Sequence, residues 1–394
     1  MEAPSVLIDL FVLFAAAKLF GEVFGHFGQP EVVGELLAGV LVGPHVLGLV
    51  GEGEVLELIA ELGVILLLFT VGLETSVGEL RRVGRAALLV GVLGVVFPFA
   101  LGMLLMVGLH HPTEEALFVS AAMVATSVGI TARVLRDLGA VRTVAARVVL
   151  AAAVVDDILA IMVLAVVSGL AEGDLSTTEL TLTFGLVAVF LVVAVLAGPR
   201  LVRSISRMGH LPFVPNSPFI IAMLLTLGLA ALSETIGLAA IIGAFLAGLI
   251  FDYSREEVAS QVQPVYDLLV PFFFAITGSI LDPGVFTQGS ILGLAGVVTA
   301  IAIATKVAGG WLGAAHLGRR TALTVGIGMV PRGEVGLIVA SLGLGIGVIS
   351  TDIFGVVLAM TVVTTLATPP VLGPLVRRHL RELRDEEARH REEE

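Results

Sequence analysis

The sequence predicts an all-α polytopic membrane protein with about 13 transmembrane helices. Apolar residues make up 57% of the 394 residues and charged residues only 14%, whereas a soluble domain carries about a quarter charged residues. Long apolar runs follow one another along the chain, and about 20 such residues cross a bilayer core of about 30 Å. The composition therefore excludes most soluble enzymes, a nucleic-acid-binding protein and a secreted disulfide scaffold. The chain has no cysteine, which also excludes thiolate and iron–sulfur chemistry.

Each predicted span is an apolar run, and loops or turn residues separate it from the next span. The spans lie at residues 4–27, 31–50, 55–74, 84–108, 115–137, 145–169, 179–199, 217–233, 235–251, 265–281, 288–313, 321–346 and 353–375. The eighth and ninth spans are divided only by Ser233, Glu234 and a short turn. The count therefore needs a test that does not depend on hydropathy.

The basic residues supply that test, because cytoplasmic loops carry an excess of Lys and Arg. Every Lys and Arg except Lys18, Lys306 and Arg332 falls in an alternate loop, near the end of a span that borders such a loop, or in the tail. Merging the eighth and ninth spans would destroy this alternation, so the two are separate helices. The pattern predicts the N-terminus outside and the C-terminus inside. Because Lys18 lies within the first apolar run with no basic residue before it, a cleavable signal peptide is not expected.

Two halves of the chain repeat each other in opposite orientation. The motif G-x-x-L-A-G occurs at 34–39 and again at 243–248, 209 positions later. Glu61 and Gly72 are matched by Asp267 and Gly278, 206 positions later. Each copy lies seven spans from its partner, and an odd shift inverts it in the membrane. Inverted repeats of this kind are the architecture of many secondary transporters.

Matching spans of the two halves carry interruptions. The fifth span is interrupted at 125–129, which includes Thr126 and Ser127, and the twelfth at 331–334, the sequence Pro331-Arg332-Gly333-Glu334. Either could be an ordinary kink, but their paired placement favours two discontinuous helices that cross. Backbone freed at membrane depth is tolerated where it lines a cavity or is buried in protein. Half-helix ends of opposite polarity would then meet near one point.

Adjacent acids, Asp156 and Asp157, lie halfway along the sixth span. An ionisable group at the bilayer centre costs roughly 3 kcal/mol on insertion scales, so it is a functional candidate. Satisfied salt bridges are the structural alternative. Consecutive helical residues diverge by about 100°, so the acids have different partners. We expect one to meet Lys306 and the other to face a cavity, where a carboxylate binds either a proton or a hard cation. Competition for one negative charge is the chemistry of an antiporter.

Lys306 has two interpretations that the sequence leaves open. It either pairs with Asp156 and releases it during transport, carrying a proton of its own, or it only neutralises the acid. Arg332 and Glu334, beside Pro331, are interpreted as structural charges that compensate each other or the half-helix dipoles.

Several motifs together resemble the monovalent cation/proton antiporter-2 family over essentially the full length. They are GELLAG at 34–39, GP at 43–44, ELGV at 61–64, GLE at 72–74, the Asp156-Asp157 pair, Lys306 and PRGE at 331–334. The resemblance implies an NhaA-like antiporter fold with two crossed discontinuous helices. It also implies exchange of Na⁺ or Li⁺ for H⁺ across the cytoplasmic membrane, by an elevator-like movement in a homodimer.

The resemblance also assigns domains. A transmembrane antiporter domain would cover residues 1–376, with a charged cytoplasmic tail at 377–394. Within it, a mobile core would comprise roughly 55–170 and 265–376, except for parts on the dimer side, and a dimerisation part roughly 1–50 and 179–251.

Site roles follow from the same resemblance, position by position. Asp157 would be the principal ligand of the cation and the proton, and Asp156 the second acid, paired with Lys306. Thr126 and Ser127 would contribute at the break. The transported Na⁺ would bind Asp157 and Asp156, with no cofactor. Paired acids with a lysine characterise electrogenic members, which are expected to exchange two protons for one sodium ion.

Four other functions compete with that of a sodium/proton antiporter. The first is a K⁺/H⁺ antiporter of the same superfamily, whose members generally carry a cytoplasmic nucleotide-binding domain that does not follow Arg378 here. The second is a sodium-coupled symporter of an organic anion on the same fold, which the acid pair and Lys306 disfavour. The third is a channel, which is disfavoured because the sequence contains no filter-like segment. A membrane enzyme is least favoured, because no nucleophile–base pair or phosphate loop is present.

Overall fold

The fold consists of fifteen α-helices in the part of the chain that the structure describes. The structure is a computed structural model, and it describes residues 3–51, 53–172, 177–207, 217–251, 254–287 and 289–393. The helices are α1 (Ala3–His26), α2 (Glu31–Val42), α3 (Glu54–Leu73), α4 (Val77–Gly108), α5 (Thr113–Ala122), α6 (Val128–Asp137), α7 (Val144–Glu172), α8 (Thr177–Arg207), α9 (Ser217–Thr235), α10 (Ala240–Ile250), α11 (Arg255–Ser279), α12 (Gly289–Ala314), α13 (Arg319–Gly328), α14 (Glu334–Gly345) and α15 (Thr351–Glu393).

The helices coincide with the predicted spans. Eleven of the thirteen spans correspond to one helix each, and the fifth and twelfth each form two half-helices, α5 with α6 and α13 with α14. Apolar runs become helices in a membrane because only a helix satisfies every backbone group within its own segment. The eighth and ninth spans are separate, since α9 ends at Thr235 and α10 begins at Ala240.

Six described helices are long and apolar enough to cross a bilayer. They are Glu54–Leu73, Arg82–Gly108, Val144–Leu170, Pro218–Thr235, Ile291–Leu317 and Thr351–Arg378. Shorter apolar helices, among them Ala240–Ile250 and Val335–Gly345, add to this set. The described chain is therefore a multi-pass membrane protein, as the sequence predicts.

The helices fall into two compact units. The first comprises residues 1–18, 35–82 and 157–281, and the second comprises 19–34, 83–156 and 282–394. The predicted core and dimerisation parts are defined by movement and association rather than by packing within one chain, so that division stays a prediction.

In the first unit, glycines allow two helix pairs to touch along their backbones. On α2, a Cβ at Gly39 would lie 1.8 Å from the carbonyl oxygen of Ala275 on α11. On α10, a Cβ at Gly248 would lie 2.1 Å from the carbonyl oxygen of Phe69 on α3. The second contact is the repeat copy of the first, because Gly39 and Gly248 are 209 positions apart and Phe69 and Ala275 are 206 apart.

The reciprocal contacts obey the same rule. A Cβ at Gly278 would lie 2.1 Å from the Leu36 oxygen, and one at Gly72 would lie 2.3 Å from the Phe245 oxygen. These two contacts are also repeat copies, because Gly72 and Gly278 are 206 positions apart and Leu36 and Phe245 are 209 apart. The repeat inferred from short motifs is thus a repeat of three-dimensional packing, in which α2 with α11 matches α10 with α3.

Gly63 marks where the two copies meet. A Cβ there would lie 2.5 Å from the carbonyl oxygen of Leu269, and Leu269 is the position that the 206-residue offset assigns to Gly63 itself. A contact between a residue and its own repeat copy lies on the symmetry axis. The pseudo-two-fold axis of the first unit therefore passes between α3 and α11.

Arg255 ties the ends of these helices together. Its guanidinium donates to the carbonyls of Leu73 (2.9 Å) and Thr75 (3.1 Å) after α3. It also donates to those of Leu249 (3.1 Å) and Phe251 (2.7 Å) at the end of α10. Because the last carbonyls of a helix have no partner within it, one arginine here caps two neighbouring helices.

Replacing Gly248 by Ala is expected to destabilise the protein, because the new methyl group would meet the Phe69 backbone, which cannot rotate away. The expected loss is about 1–3 kcal/mol, as for other overpacked contacts. Gly228→Ala on α9 is the matched control, since no atom lies within 4 Å of a Cβ there. Thermal unfolding of the purified protein in detergent measures both. A melting temperature of Gly248→Ala equal to that of Gly228→Ala would contradict the packing described.

Candidate ion site

Two helix breaks lie within the second unit. The first runs from Met123 to Ser127, between α5 and α6, and the second from Met329 to Gly333, between α13 and α14. Each begins about two residues earlier than the interruption predicted from the sequence. The breaks are 206 positions apart, so they are copies of each other in the repeat.

The two breaks cross in contact. The amide of Ser127 donates to the carbonyl oxygen of Pro331 at 2.8 Å, and the Thr126 hydroxyl lies 3.4 Å from the Met329 oxygen. A Cβ at Gly333 would lie 2.8 Å from the Cβ of Ser127, and Gly333 is the repeat copy of Ser127. The predicted crossing of two discontinuous helices is therefore present, and it passes through the two related positions.

The half-helices on either side of the crossing are held against each other. A Cβ at Gly336 on α14 would lie 3.0 Å from the Ala122 carbonyl oxygen at the end of α5. The Thr131 hydroxyl on α6 donates to the carbonyl oxygen of Gly328, the last residue of α13, at 2.6 Å. The crossing thus brings helix ends of both polarities together, and their free amides and carbonyls provide partial charges of both signs.

Asp156 and Lys306 form a fully buried ion pair. Lys306 Nζ lies 2.7 Å from Asp156 Oδ1, and both side chains are 0% exposed. This is the contact expected from the sequence. The second oxygen, Asp156 Oδ2, has no hydrogen-bond partner among the described residues. Lys306 therefore balances the charge of this carboxylate through one of its two oxygen atoms.

Gly94 on α4 leaves room beside that pair. A Cβ at this position would lie 3.4 Å from Lys306 Nζ and 3.6 Å from Asp156 Oδ1. Glycine at this position therefore keeps a side chain from contacting the ion pair.

Asp157 follows Asp156 in α7 and is also buried, at 8% exposed. Its side chain projects about 100° around the helix from that of Asp156. The two carboxylates therefore point in different directions from the helix, and their separate roles stay a prediction.

Arg332 lies in the second break and is fully buried. Its guanidinium donates to the carbonyls of Val330 at 2.9 Å and Met329 at 3.3 Å, and to that of Ala302 on α12 at 3.4 Å. It therefore satisfies carbonyls left free where α13 ends. The predicted role of Arg332 as a compensating charge stays a prediction, and the side chain of Glu334 lies outside the described residues.

Threonines on α15 are site residues that the sequence analysis missed. Thr364 and Thr365 both bond the backbone of Arg332. The available signal was the spacing of Thr361, Thr364, Thr365 and Thr368, which places four hydroxyls on one face of an apolar helix. Nothing in that pattern identifies the element against which the face packs.

The oxygen atoms of the site suit a monovalent cation in transit. Carboxylate, hydroxyl and carbonyl oxygens are the donors that hard cations prefer. Within the described ranges, no group of three or more His, Asp or Glu could hold a resident metal ion.

Comparison with known proteins identifies the family. Residues 10–378 match the family described as sodium/hydrogen exchanger, transmembrane. The chain belongs to this sodium/hydrogen exchanger family. It is 35% identical to the high-affinity Na⁺/H⁺ antiporter NhaS3 of Synechocystis, over 93% of this chain and 89% of that protein. It is also 35% identical to the Na⁺/H⁺-K⁺ antiporter GerN of Bacillus cereus, over 92% of this chain and 94% of that protein.

A solved exchanger structure has the same fold. The sodium proton antiporter MjNhaP1 of Methanocaldococcus jannaschii superposes with a TM-score of 0.68 at 19% identity, covering 95% of this chain and 99% of that one. The family and the fold confirm the prediction of an antiporter-type transporter rather than an enzyme. They leave the assignment of individual site residues as a prediction.

Proposed function

We propose that this protein exchanges sodium, or lithium, for protons across the cytoplasmic membrane by alternating access. The observation that carries the proposal is the buried Asp156–Lys306 pair, which lies in the same unit as the crossed breaks. Membership of the sodium/hydrogen exchanger family supports it. Both antiporters named above are Na⁺/H⁺ antiporters, which also supports sodium as the transported cation.

The mechanism is competition between two cations for the same negative charge. Asp157 would be the principal group that binds either Na⁺ or H⁺, and Asp156 the second acid. Thr126 and Ser127, at the first break, would add oxygen ligands. A carboxylate that carries a proton has lost the charge that attracts Na⁺, so binding of one ion releases the other. Exchange is coupled if the site changes the side of the membrane that it faces only when it holds Na⁺ or H⁺. The empty site, with its charged carboxylate, must not make this change.

The same proposal includes orientation and assembly. The distribution of Lys and Arg supports an outside N-terminus and an inside C-terminus. A homodimer with an elevator-like movement of the core is the arrangement that the family resemblance favours. Exchange of two protons for one sodium ion would move one net charge in each cycle, so the membrane potential would help to drive transport.

Two other functions remain as competitors. A K⁺/H⁺ antiporter fits less well, because Na⁺/H⁺ antiport stands in the name of both relatives, although the name of GerN includes K⁺ as well. A sodium-coupled symporter of an organic anion would not need a buried acid paired with a lysine. Each of these two functions predicts a pattern of proton movement that differs from that of a sodium/proton antiporter.

The direct test is proton movement in proteoliposomes that contain the purified protein and a pH-sensitive dye. Adding NaCl or LiCl outside is expected to move protons out of the lumen, whereas choline chloride and protein-free liposomes give the background. Movement with KCl alone would establish the K⁺/H⁺ alternative. No proton movement with any of the three salts would overturn the proposal and favour the symporter.

A further inference from the structure

We propose that the hydroxyls of Thr364 and Thr365 on α15 position the ion site by holding the second helix break in register with the first. The inference rests on the proposed function, since it concerns how the same site is kept in shape for its cation. Neither threonine is suggested as a ligand of the ion. Both are positioning residues that act through the backbone of Arg332.

Both threonines form hydrogen bonds with the backbone of the same residue in the break, Arg332. The amide of Arg332 donates to Thr364 Oγ1 at 3.2 Å, and the Thr365 hydroxyl donates to the carbonyl oxygen of the same residue. Arg332 lies between α13 and α14, so the helical ladder does not provide these partners. A backbone group left unsatisfied at membrane depth is strongly unfavourable, because no water replaces the missing partner. Two adjacent side chains of α15 thus replace both missing bonds.

The two hydroxyls have different roles that the local geometry fixes. Thr364 donates its own proton within α15, to the Met360 carbonyl at 2.8 Å, which leaves its oxygen as an acceptor for the Arg332 amide. Thr365 is the donor to the Arg332 carbonyl. The pair therefore recognises one amide and one carbonyl in a defined orientation. The backbone cannot slide along α15 without breaking both bonds.

The constraint passes from this residue to the other break. Pro331, the neighbour of Arg332, accepts the amide of Ser127 at 2.8 Å. Ser127 and Thr126 are the two predicted contributors of the first break. A shift of the Arg332 peptide would move the Pro331 carbonyl, and with it the bond that fixes Ser127. The chain of contacts therefore runs from α15, through the second break, to the proposed ligands in the first.

The same face of α15 provides a matched control. Thr361 lies one turn earlier and is 1% exposed, but its hydroxyl has no hydrogen-bond partner among the described residues. Thr368 lies one turn later and donates only within α15, to the Thr364 carbonyl at 2.6 Å. Replacing threonine by valine keeps the shape and removes the hydroxyl. Thr361→Val therefore makes the same chemical change on the same face without removing a hydrogen bond to the break.

The experiment measures sodium-driven proton exchange in proteoliposomes over a range of NaCl and LiCl concentrations. Thr365→Val is expected to raise the sodium concentration for half-maximal exchange by about fivefold or more, the size of effect that one lost hydrogen bond gives. The ratio of the sodium and lithium values is expected to change as well. Thr365→Ser keeps the hydroxyl and is expected to restore both values, and Thr361→Val is expected to match the native protein.

These readouts separate positioning from simple folding damage. A purely structural loss lowers the amount of active protein and leaves the half-maximal concentrations unchanged. If Thr365→Val shows the native half-maximal concentrations and the native lithium-to-sodium ratio, or shifts no more than Thr361→Val, the inference is wrong. Should Thr365→Val yield no folded protein, Thr364→Val replaces it, because it removes the acceptor of the longer bond to Arg332 together with a donor that bonds only within α15. The same outcomes then apply.

Failure of the inference is distinct from failure of the proposed function. If the native protein moves no protons in response to sodium, the proposed function is wrong whatever the variants do. If the native protein exchanges normally and the threonine variants follow the control, only the positioning role is lost.

Discussion

Replacing Asp157 by Asn is expected to reduce sodium-driven proton exchange to the level of protein-free liposomes. Asn has nearly the same shape as Asp, so the packing of the buried residue is preserved. The amide has neither a charge to attract Na⁺ nor a site that binds a proton near neutral pH. Both halves of the competition are removed at once, and no other single substitution is expected to have a larger effect on transport.

The measurement compares the initial rate of dye response on adding NaCl, for equal amounts of folded protein. Asp267→Asn is the control, because Asp267 is an exposed acid of α11 whose carboxylate accepts from Gln263 at 2.7 Å. This control is expected to exchange at the native rate. Native exchange by Asp157→Asn would refute the assigned role, and the principal ligand would then have to be sought at Asp156.

Replacing Lys306 by Gln is expected to produce the largest loss of stability. Both members of the Asp156–Lys306 pair are 0% exposed, so the substitution leaves a buried carboxylate without its counter-charge. Breaking a buried pair from one side costs about 3–5 kcal/mol. Neutralising both partners avoids the uncompensated charge. The double variant Asp156→Asn with Lys306→Gln is therefore expected to recover most of the lost stability.

Thermal unfolding of the single and double variants in detergent measures this difference. Equal melting temperatures for Lys306→Gln and the double variant would contradict it, because they would mean that the lone carboxylate carries no penalty. The native protein and Gly228→Ala provide the reference values.

The single variant Lys306→Gln, which keeps Asp156, also distinguishes the two roles of Lys306 that the sequence left open. If the lysine carries a proton, its loss removes one proton from the cycle, and exchange no longer responds to membrane potential. If it is only a counter-charge, the native response remains, worth about 2.3 kcal/mol per charge at 100 mV. Imposing a potassium diffusion potential across the proteoliposomes measures the response. Either result decides between the two interpretations.

Much of the architecture could be predicted because membrane helices obey local rules. Each apolar run has to form a helix to satisfy its own backbone, and basic residues sort by side, so hydropathy and charge were sufficient for thirteen spans. The repeat was visible because both copies need a small residue at the same crossing, as at Gly39 and Gly248. The Asp156–Lys306 contact could be anticipated because a charge at membrane depth requires a partner and few candidates exist.

Contacts between distant parts of the chain required the tertiary structure. Arg255 marked a cytoplasmic loop in the sequence, whereas in the fold it caps α3 and α10. Gly63 gave no signal of its own, although it meets its repeat copy on the pseudo-two-fold axis. Such positions depend on which helix faces meet, and periodicity in one helix carries no information about its neighbour.

The sequence by itself determined the class of protein, the number of spans, the inverted repeat and the presence of two breaks. These follow from hydrophobicity, charge and backbone chemistry within short segments. Only the tertiary structure decided that Ser127 bonds Pro331 and that Thr364 and Thr365 bond Arg332. The physical reason is that a broken helix leaves amides and carbonyls that must find partners, and which residues supply them depends on packing between segments far apart in the chain.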